Sequence, residues 1–204
     1  MKARSRNISN LIIRAELMSE TDRYTQRTII AGFPGVGKST AAEKYPDYFL
    51  DMESSDYHWI TDENGNKTAN PMWPVNYFKA IMEAANKPFT ADGPRYLYVL
   101  TSTHKEVLDL FRKCHTYYMA VLPKSKDIYI QRYIDRKSSS DFIKKLDANF
   151  ESFIKDVEES SAFGIHYTDH FLAELYNPAP EDIINPTVDY TNFGDTTVNI
   201  SVDE

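Results

Sequence analysis

Nine consecutive residues, Gly32-Phe33-Pro34-Gly35-Val36-Gly37-Lys38-Ser39-Thr40, have the types and spacing to hold a chain of phosphates. They fit G-x-x-x-x-G-K-[ST], in which glycines let successive backbone N–H groups converge on one point with no Cβ in the way. Gly32, Pro34, Gly35, Val36, Gly37, Lys38, Ser39 and Thr40 are therefore the candidate nucleotide-binding residues. Lys38 supplies a mobile positive charge for the outer phosphates, and Ser39 a hydroxyl for Mg²⁺. A helix starting at this point adds its unpaired N–H groups and the positive end of its dipole.

Two further pairs carry charge suited to moving a phosphoryl group. Asp51 and Glu53 stand two apart in the extended-looking run Tyr48–Glu53, so both side chains fall on one side of a strand. Carboxylates there would position a phosphate-bound metal, with Ser39 and Asp51 as the candidate metal-side residues, and would take a proton from an acceptor hydroxyl. The competing expectation is that one of the two caps the turn Ser54-Ser55-Asp56. Arg132 and Arg136 are four apart, hence on one face of a helix, and the polar stretch Lys137-Ser138-Ser139-Ser140 follows. A lid over residues 132–141 would bring their charge to the transferring group from the side opposite the loop. The alternative is a solvated face with Asp127 and Asp135 as partners. Thr101 and Ser102 are candidate phosphate or water ligands, and His104 is expected to be structural.

The elements that must position these residues alternate. Arg27–Ala31 reads as a buried strand feeding the loop, and Ser39–Tyr45 as a helix stopped by Pro46. Tyr48–Glu53 is a second strand, the polar run Thr61–Lys67 a turn, and Pro74–Ala85 a helix with Tyr77, Phe78, Ile81 and Met82 along one face. Tyr96–Leu100 is a third strand, followed by a helix over 104–113. Tyr117–Leu122 is a fourth strand ending at Pro123, with helices over about 125–136 and 140–159 after it. The segment His166–Tyr176 supplies a weak fifth strand and a terminal helix. This alternation predicts an α/β fold with a mainly parallel sheet of about five strands and right-handed crossovers. Neither the third nor the fourth strand ends in an acid, which weighs against a motor-type ATPase.

Composition sets outer limits. The 204 residues suffice for one good-sized core. The single cysteine, Cys114, allows no internal disulfide and no metal-binding spacing. No apolar run nears the ~20 residues of a membrane span, and no secretory signal is visible, so a cytoplasmic location is expected. The net charge is −7, yet no Lys or Arg follows Lys155. Residues 156–204 hold 11 acids, which leaves 19 acids against 23 bases in residues 1–155 and a mildly basic body suited to polyanions. The expected organisation is an N-terminal extension over 1–24, a main domain over 25–176, and an acidic tail over 177–204.

The order of phosphate loop, acidic pair on the second strand and late R-Y-I-D-R helix resembles the nucleoside/nucleotide kinase group of P-loop proteins. Within it, Asp51-Met52-Glu53 is similar to the D-x-D of shikimate-type kinases, and Arg132 with Arg136 resembles the lid arginines of adenylate-type kinases. The overall look is similar to small bacteriophage P-loop proteins described as nucleotide kinases or ATP-binding proteins. The resemblance spans about residues 27–160 and implies a three-layer P-loop NTPase fold. It also implies ATP and Mg²⁺ as cofactors, and transfer to a small acceptor such as a nucleoside monophosphate or nucleoside. The chain departs from adenylate kinases in lacking D-G-[FY]-P-R, of which Asp92-Gly93-Pro94-Arg95 is the closest fragment, and in lacking a long lid insert. The resemblance also implies an acceptor-binding segment at 54–95; Tyr57, His58, Trp59, Trp73 and Tyr77 fall in it, where rings would stack on a base or belong to the core. The competing class is a regulatory or assembly P-loop ATPase with no small acceptor, and a polynucleotide kinase is a further alternative. The expected partners are a nucleotide and its acceptor; neither a membrane nor a nucleic acid is expected, and a homodimer is left open.

Overall fold

The β-branched run at Thr28–Gly32 forms β1, the central strand of a five-stranded parallel sheet in a computed structural model that describes residues 27–87, 96–160 and 162–175. The other strands of this sheet are β2 (Phe49–Asp51), β5 (Tyr98–Ser102), β6 (Met119–Pro123) and β7 (Gly164–Thr168), and the spatial order is β2-β5-β1-β6-β7. A separate antiparallel hairpin joins β3 (Trp59–Thr61) to β4 (Lys67–Ala69). The helices are α1 (Lys38–Lys44), α2 (Ser55–His58), α3 (Val75–Ala85), α4 (Lys105–Lys113), α5 (Lys126–Asp135), α6 (Ser140–Glu158) and α7 (Leu172–Leu175).

Chirality distributes these helices between two layers. The step from β1 to β2 runs one way across the sheet, and the steps β2→β5, β5→β6 and β6→β7 run the other way. Right-handed crossovers therefore place α1 on one face and α3, α4, α5 and α6 on the opposite face. The packing agrees: α1 lies against α7, while α3 meets α4, α4 meets α6 and α5 meets α6. The result is a three-layer α/β architecture. Ile30, Ala31, Val99, Leu100, Ala120 and Leu122 lie wholly buried in the central strands. As expected of strands covered on both faces, they read as apolar runs rather than alternating ones.

Strand ends differ from the sequence expectation because pairing, not hydrophobicity, sets them. The ladder runs from Thr28 opposite Tyr98 to Gly32 opposite Ser102, so β5 lies two residues later than the apolar run Tyr96–Leu100. Thr101 and Ser102 are thus the last residues of the strand and not the start of a loop. In the same way β6 begins at Met119 and extends through Pro123, whose missing N–H is tolerated at the strand's end. On the other side β2 stops at Asp51, which leaves Glu53 beyond the strand.

Within the segment expected to receive an acceptor, the chain forms α2 and the small hairpin. The polar run over 61–67 is the end of the hairpin, with residues 62–66 as its loop between the paired Thr61 and Lys67. Asp62 Oδ1 accepts from the Asn64 and Asn66 N–H groups at 2.9 and 2.8 Å, and Gly65 takes φ 82°. The extension over 1–24, the fragment Asp92–Arg95 and the acidic tail lie outside the described residues. Among those residues no helix is long and apolar enough to cross a membrane.

Candidate functional site

The Gly32–Thr40 loop leaves the carboxyl end of the central strand, flanked by the ends of β5 and β6, where ligands gather in parallel sheets. Gly35 and Gly37 take φ of 84° and 88°, which an L side chain adopts only with strain. A Cβ at Gly35 would sit 3.0 Å from the Tyr133 ring, and one at Gly37 would sit 3.0 Å from Phe171. Among the described residues the N–H groups of Gly35, Gly37, Lys38, Ser39 and Thr40 have no backbone carbonyl partner, which leaves them available to an anion.

The loop is held from three sides. Phe33 N–H donates to Val121 O at 2.9 Å, and Leu172 N–H donates to Val36 O at the same distance. Phe33 and Val36 are fully buried, so these residues anchor the loop while the glycines shape its mouth. Pro34 is half-buried at the bend, and Thr40 is exposed on α1. The third brace is Arg132, whose guanidinium donates to Gly35 O at 3.2 Å and to Asp169 O. It lies between the rings of Tyr129 and Phe171, 4.3 and 4.0 Å from their centroids. Asp169 is itself fixed, since its carboxylate accepts from Ser125 N–H at 2.8 Å and from Ser125 Oγ at 2.6 Å.

Lys38 Nζ donates to Gly32 O at 2.9 Å, which folds the ammonium across the mouth of the loop. Its stem keeps some solvent contact, but the charge is crowded by protein atoms. That desolvation lowers its pKa, Asp51 and Glu53 oppose the shift, and Arg136 adds to it. Asp51 shows the reverse. Burial raises its carboxyl pKa, against a hydrogen bond from Ser39 and the field of Lys38. Its Oδ1 is buried with no hydrogen-bond partner. A serine hydroxyl bonded to a carboxylate with an orphaned oxygen, beside free loop N–H groups, is an oxygen-donor set suited to a hard cation such as Mg²⁺.

The predicted pairs separate in the structure. Glu53 is exposed, and its Oε1 accepts from Ser55 N–H at 3.2 Å, so it caps the turn into α2 as the competing expectation had it. It still lies within reach of the Lys38 charge. Arg132 spends its donors on the loop and Asp169. Arg136 is exposed, has no ion-pair partner among the described residues, and faces Lys38 closely enough to affect it. Among the described residues its ring contact is with Tyr133, at 5.7 Å. The expected partners Asp127 and Asp135 pair with neither arginine; Asp135 accepts from Gln131 instead.

Other site features were not legible locally. Tyr77 is wholly buried; its hydroxyl donates to Met52 O at 2.5 Å and accepts from Thr101 Oγ1 at 2.9 Å and Ser102 N–H at 3.2 Å. It ties the chain just after Asp51 to the end of β5. Thr101 Oγ1 therefore donates to Tyr77, and Ser102 Oγ shares a 2.8 Å hydrogen bond with His104 Nδ1, so both hydroxyls already have a protein partner. Asp169 and Phe171 stand more than 130 positions from the loop they brace, and no short-range pattern marks them.

Neither a protein-family model nor a curated protein matches the chain. Solved structures with a similar course include a gluconokinase from Sinorhizobium meliloti 1021, 15% identical over 79% of this chain and 93% of that one, with a TM-score of 0.42. A shikimate kinase from Bacteroides thetaiotaomicron is 14% identical over 71% of this chain and 87% of that one, with a TM-score of 0.39. The SH3-kinase fragment of tight junction protein 3 is 11% identical over 90% and 75%, with a TM-score of 0.44. The fold stands on the strand order and the loop geometry, independently of these likenesses.

Proposed function

We propose that the chain transfers the γ-phosphoryl group of ATP to a small acceptor, with a nucleoside monophosphate or a nucleoside as the acceptor class. The observation that carries this reading is the convergence at the carboxyl edge of the sheet of Lys38 and Ser39, which follow β1, with Asp51 at the end of β2 and its orphaned oxygen. The free loop N–H groups and Lys38 would hold the phosphates. Ser39 and Asp51 would hold Mg²⁺, which when bound offsets charge on the phosphate oxygens. Arg136, which has no ion-pair partner among the described residues, would approach from the far side of the loop. Arg132 serves by fixing the loop's shape. Asp51 or Glu53 would receive the acceptor's proton.

The test is direct. Full-length protein is incubated with labelled ATP, Mg²⁺ and a panel of nucleosides, nucleoside monophosphates and small polyols. Transfer to one acceptor class, lost in Lys38→Ala and in Asp51→Asn, supports the reading. Slow hydrolysis with no acceptor labelled would sink it, and would favour a nucleotide-binding regulatory role.

A further inference from the structure

We propose that the acceptor side of this site takes an uncharged, planar-ring alcohol of the nucleoside class and not a molecule that brings its own phosphate. This rests on the phosphoryl-transfer reading above and narrows its acceptor.

The first observation is a pile of rings running from the core to the surface beside Lys38. Tyr57 lies 5.1 Å from Tyr77, Tyr77 stacks on Trp73 at 5.4 Å and 20°, Trp73 meets His58 at 4.6 Å, and His58 meets Trp59 at 4.6 Å. His104 closes the edge, 5.2 Å from Trp73 and nearly perpendicular to it, and it feels the charges of Lys38 and Glu53. Tyr77 is fully buried at one end and Trp59 is 42% exposed at the other. The Trp73 indole N–H is buried and has no hydrogen-bond partner among the described residues. Such a surface rewards a flat ring carrying a ring nitrogen or carbonyl.

The second observation is charge. Among the described residues from 49 to 104, the acids are Asp51, Glu53, Asp56, Asp62, Glu63 and Glu83, and the cations are Lys67, Lys79 and Lys87. None of these lysines belongs to the ring pile. Lys67 pairs across the hairpin with Thr61, at the end away from Trp59; Lys79 is exposed on α3, and Lys87 follows that helix. Burial among the rings holds His104 below the ordinary imidazole value, so it is neutral at pH 7. Lys38 and Arg136 face the loop and would be engaged by the donor's phosphates. Among the described residues, a phosphate on the acceptor would meet Asp51 and Glu53 with no guanidinium at the ring pile to offset them, and recognition of phosphate by proteins leans on such groups. A neutral hydroxyl meets no such repulsion. Its oxygen would bond to the γ-phosphorus as the bond from that phosphorus to the β,γ-bridging oxygen breaks. The electron pair leaves on ADP, and the hydroxyl proton passes to a carboxylate of the Asp51/Glu53 pair.

The chain's two tryptophans, Trp59 and Trp73, both lie in the ring pile, so intrinsic fluorescence reports on this surface alone. Full-length protein is titrated with adenosine, guanosine, cytidine and thymidine, with their 5′-monophosphates and with gluconate, with calorimetry run in parallel. Expected is quenching by at least one nucleoside that binds about tenfold or more tighter than its monophosphate, and about tenfold weaker binding in Trp73→Phe, which keeps the ring and loses the donor. A melting curve on that variant separates lost binding from lost folding, and Trp59→Phe assigns the signal to Trp73. A monophosphate that binds as tightly as its nucleoside, or ligand binding that leaves both tryptophans unchanged, overturns the proposal. Phosphorylation of gluconate with silent tryptophans overturns it while leaving phosphoryl transfer intact. Nucleoside binding with no transfer does the opposite.

Discussion

At the level of single residues, Asp51 and Lys38 each sit in surroundings whose burial opposes their charge. Burial raises the Asp51 pKa in the folded state. The sign is that of a group favouring its protonated form: its contribution to stability is complete below the ordinary carboxylate range and is lost as pH rises through the raised value. Asp51→Asn should therefore leave the melting temperature of the nucleotide-free protein at pH 7 unchanged or higher while removing Mg²⁺-dependent transfer. A strongly lowered melting temperature would show that the carboxylate is structural. Lys38 has a lowered pKa, so its anion-binding charge is lost at a lower pH than that of an exposed lysine. Nucleotide affinity should accordingly fall on the alkaline side before pH 10.5, and on the acid side as Asp51 protonates above its usual range. Titration of Mg·ATP binding by calorimetry across pH checks both limbs. Tyr77→Phe strands Met52 O and the Thr101 and Ser102 donors, which should cost about 1–3 kcal/mol in denaturant unfolding.

At the level of elements, the loop's shape depends on pieces far away in the chain. Arg132 on α5 bridges Gly35 to the β7–α7 connection, and α7 bonds to Val36. Gly37→Ala meets both the left-handed φ and the Phe171 ring, so a loss of about 1–3 kcal/mol is expected, together with weaker nucleotide binding. Arg132→Met keeps much of the stem but drops the donors to Gly35 and Asp169. Its expected effect is a weaker Kd for Mg·ATP and faster amide exchange in both the loop and α7. Unchanged exchange in α7 would refute the brace. The link between α5 and α6 is a turn closed by Lys137 N–H to Ile134 O and Ser138 N–H to Tyr133 O, with Ser139 capping Phe142 N–H. A lid built here would swing as a short turn carrying Arg136, with Arg132 left behind on the helix.

For the whole molecule, ligand binding to the loop end of the sheet should stabilise the body as a unit. At a concentration near 100 times Kd, Mg·ATP would add about 2.7 kcal/mol, and a thermal melt without that upward shift would place nucleotide binding in doubt. The phosphate loop, its strand and helix, and the alternation that makes a parallel sheet were all legible in the sequence, because each is written in local residue types and short spacings. The pair Asp51 and Glu53 was legible as two acids of one extended run, but not that the strand ends at Asp51. Strand registers were not, since β1 imposes its ladder on β5 and β6 across nearly 70 and 90 positions. Nor was the division of labour within the two charged pairs. Asp51 and Glu53 share a sequence pattern, yet the ending of β2 turns one toward Ser39 and leaves the other to cap α2. Arg132 and Arg136 share a helix face, yet Phe171, Asp169 and Gly35 claim only the first. The sequence by itself determined which chemistry the chain carries, because backbone conformation and charge type are local properties. Only the tertiary structure decided which member of each pair is free to use it, because desolvation and hydrogen-bond competition come from residues that are neighbours in space alone.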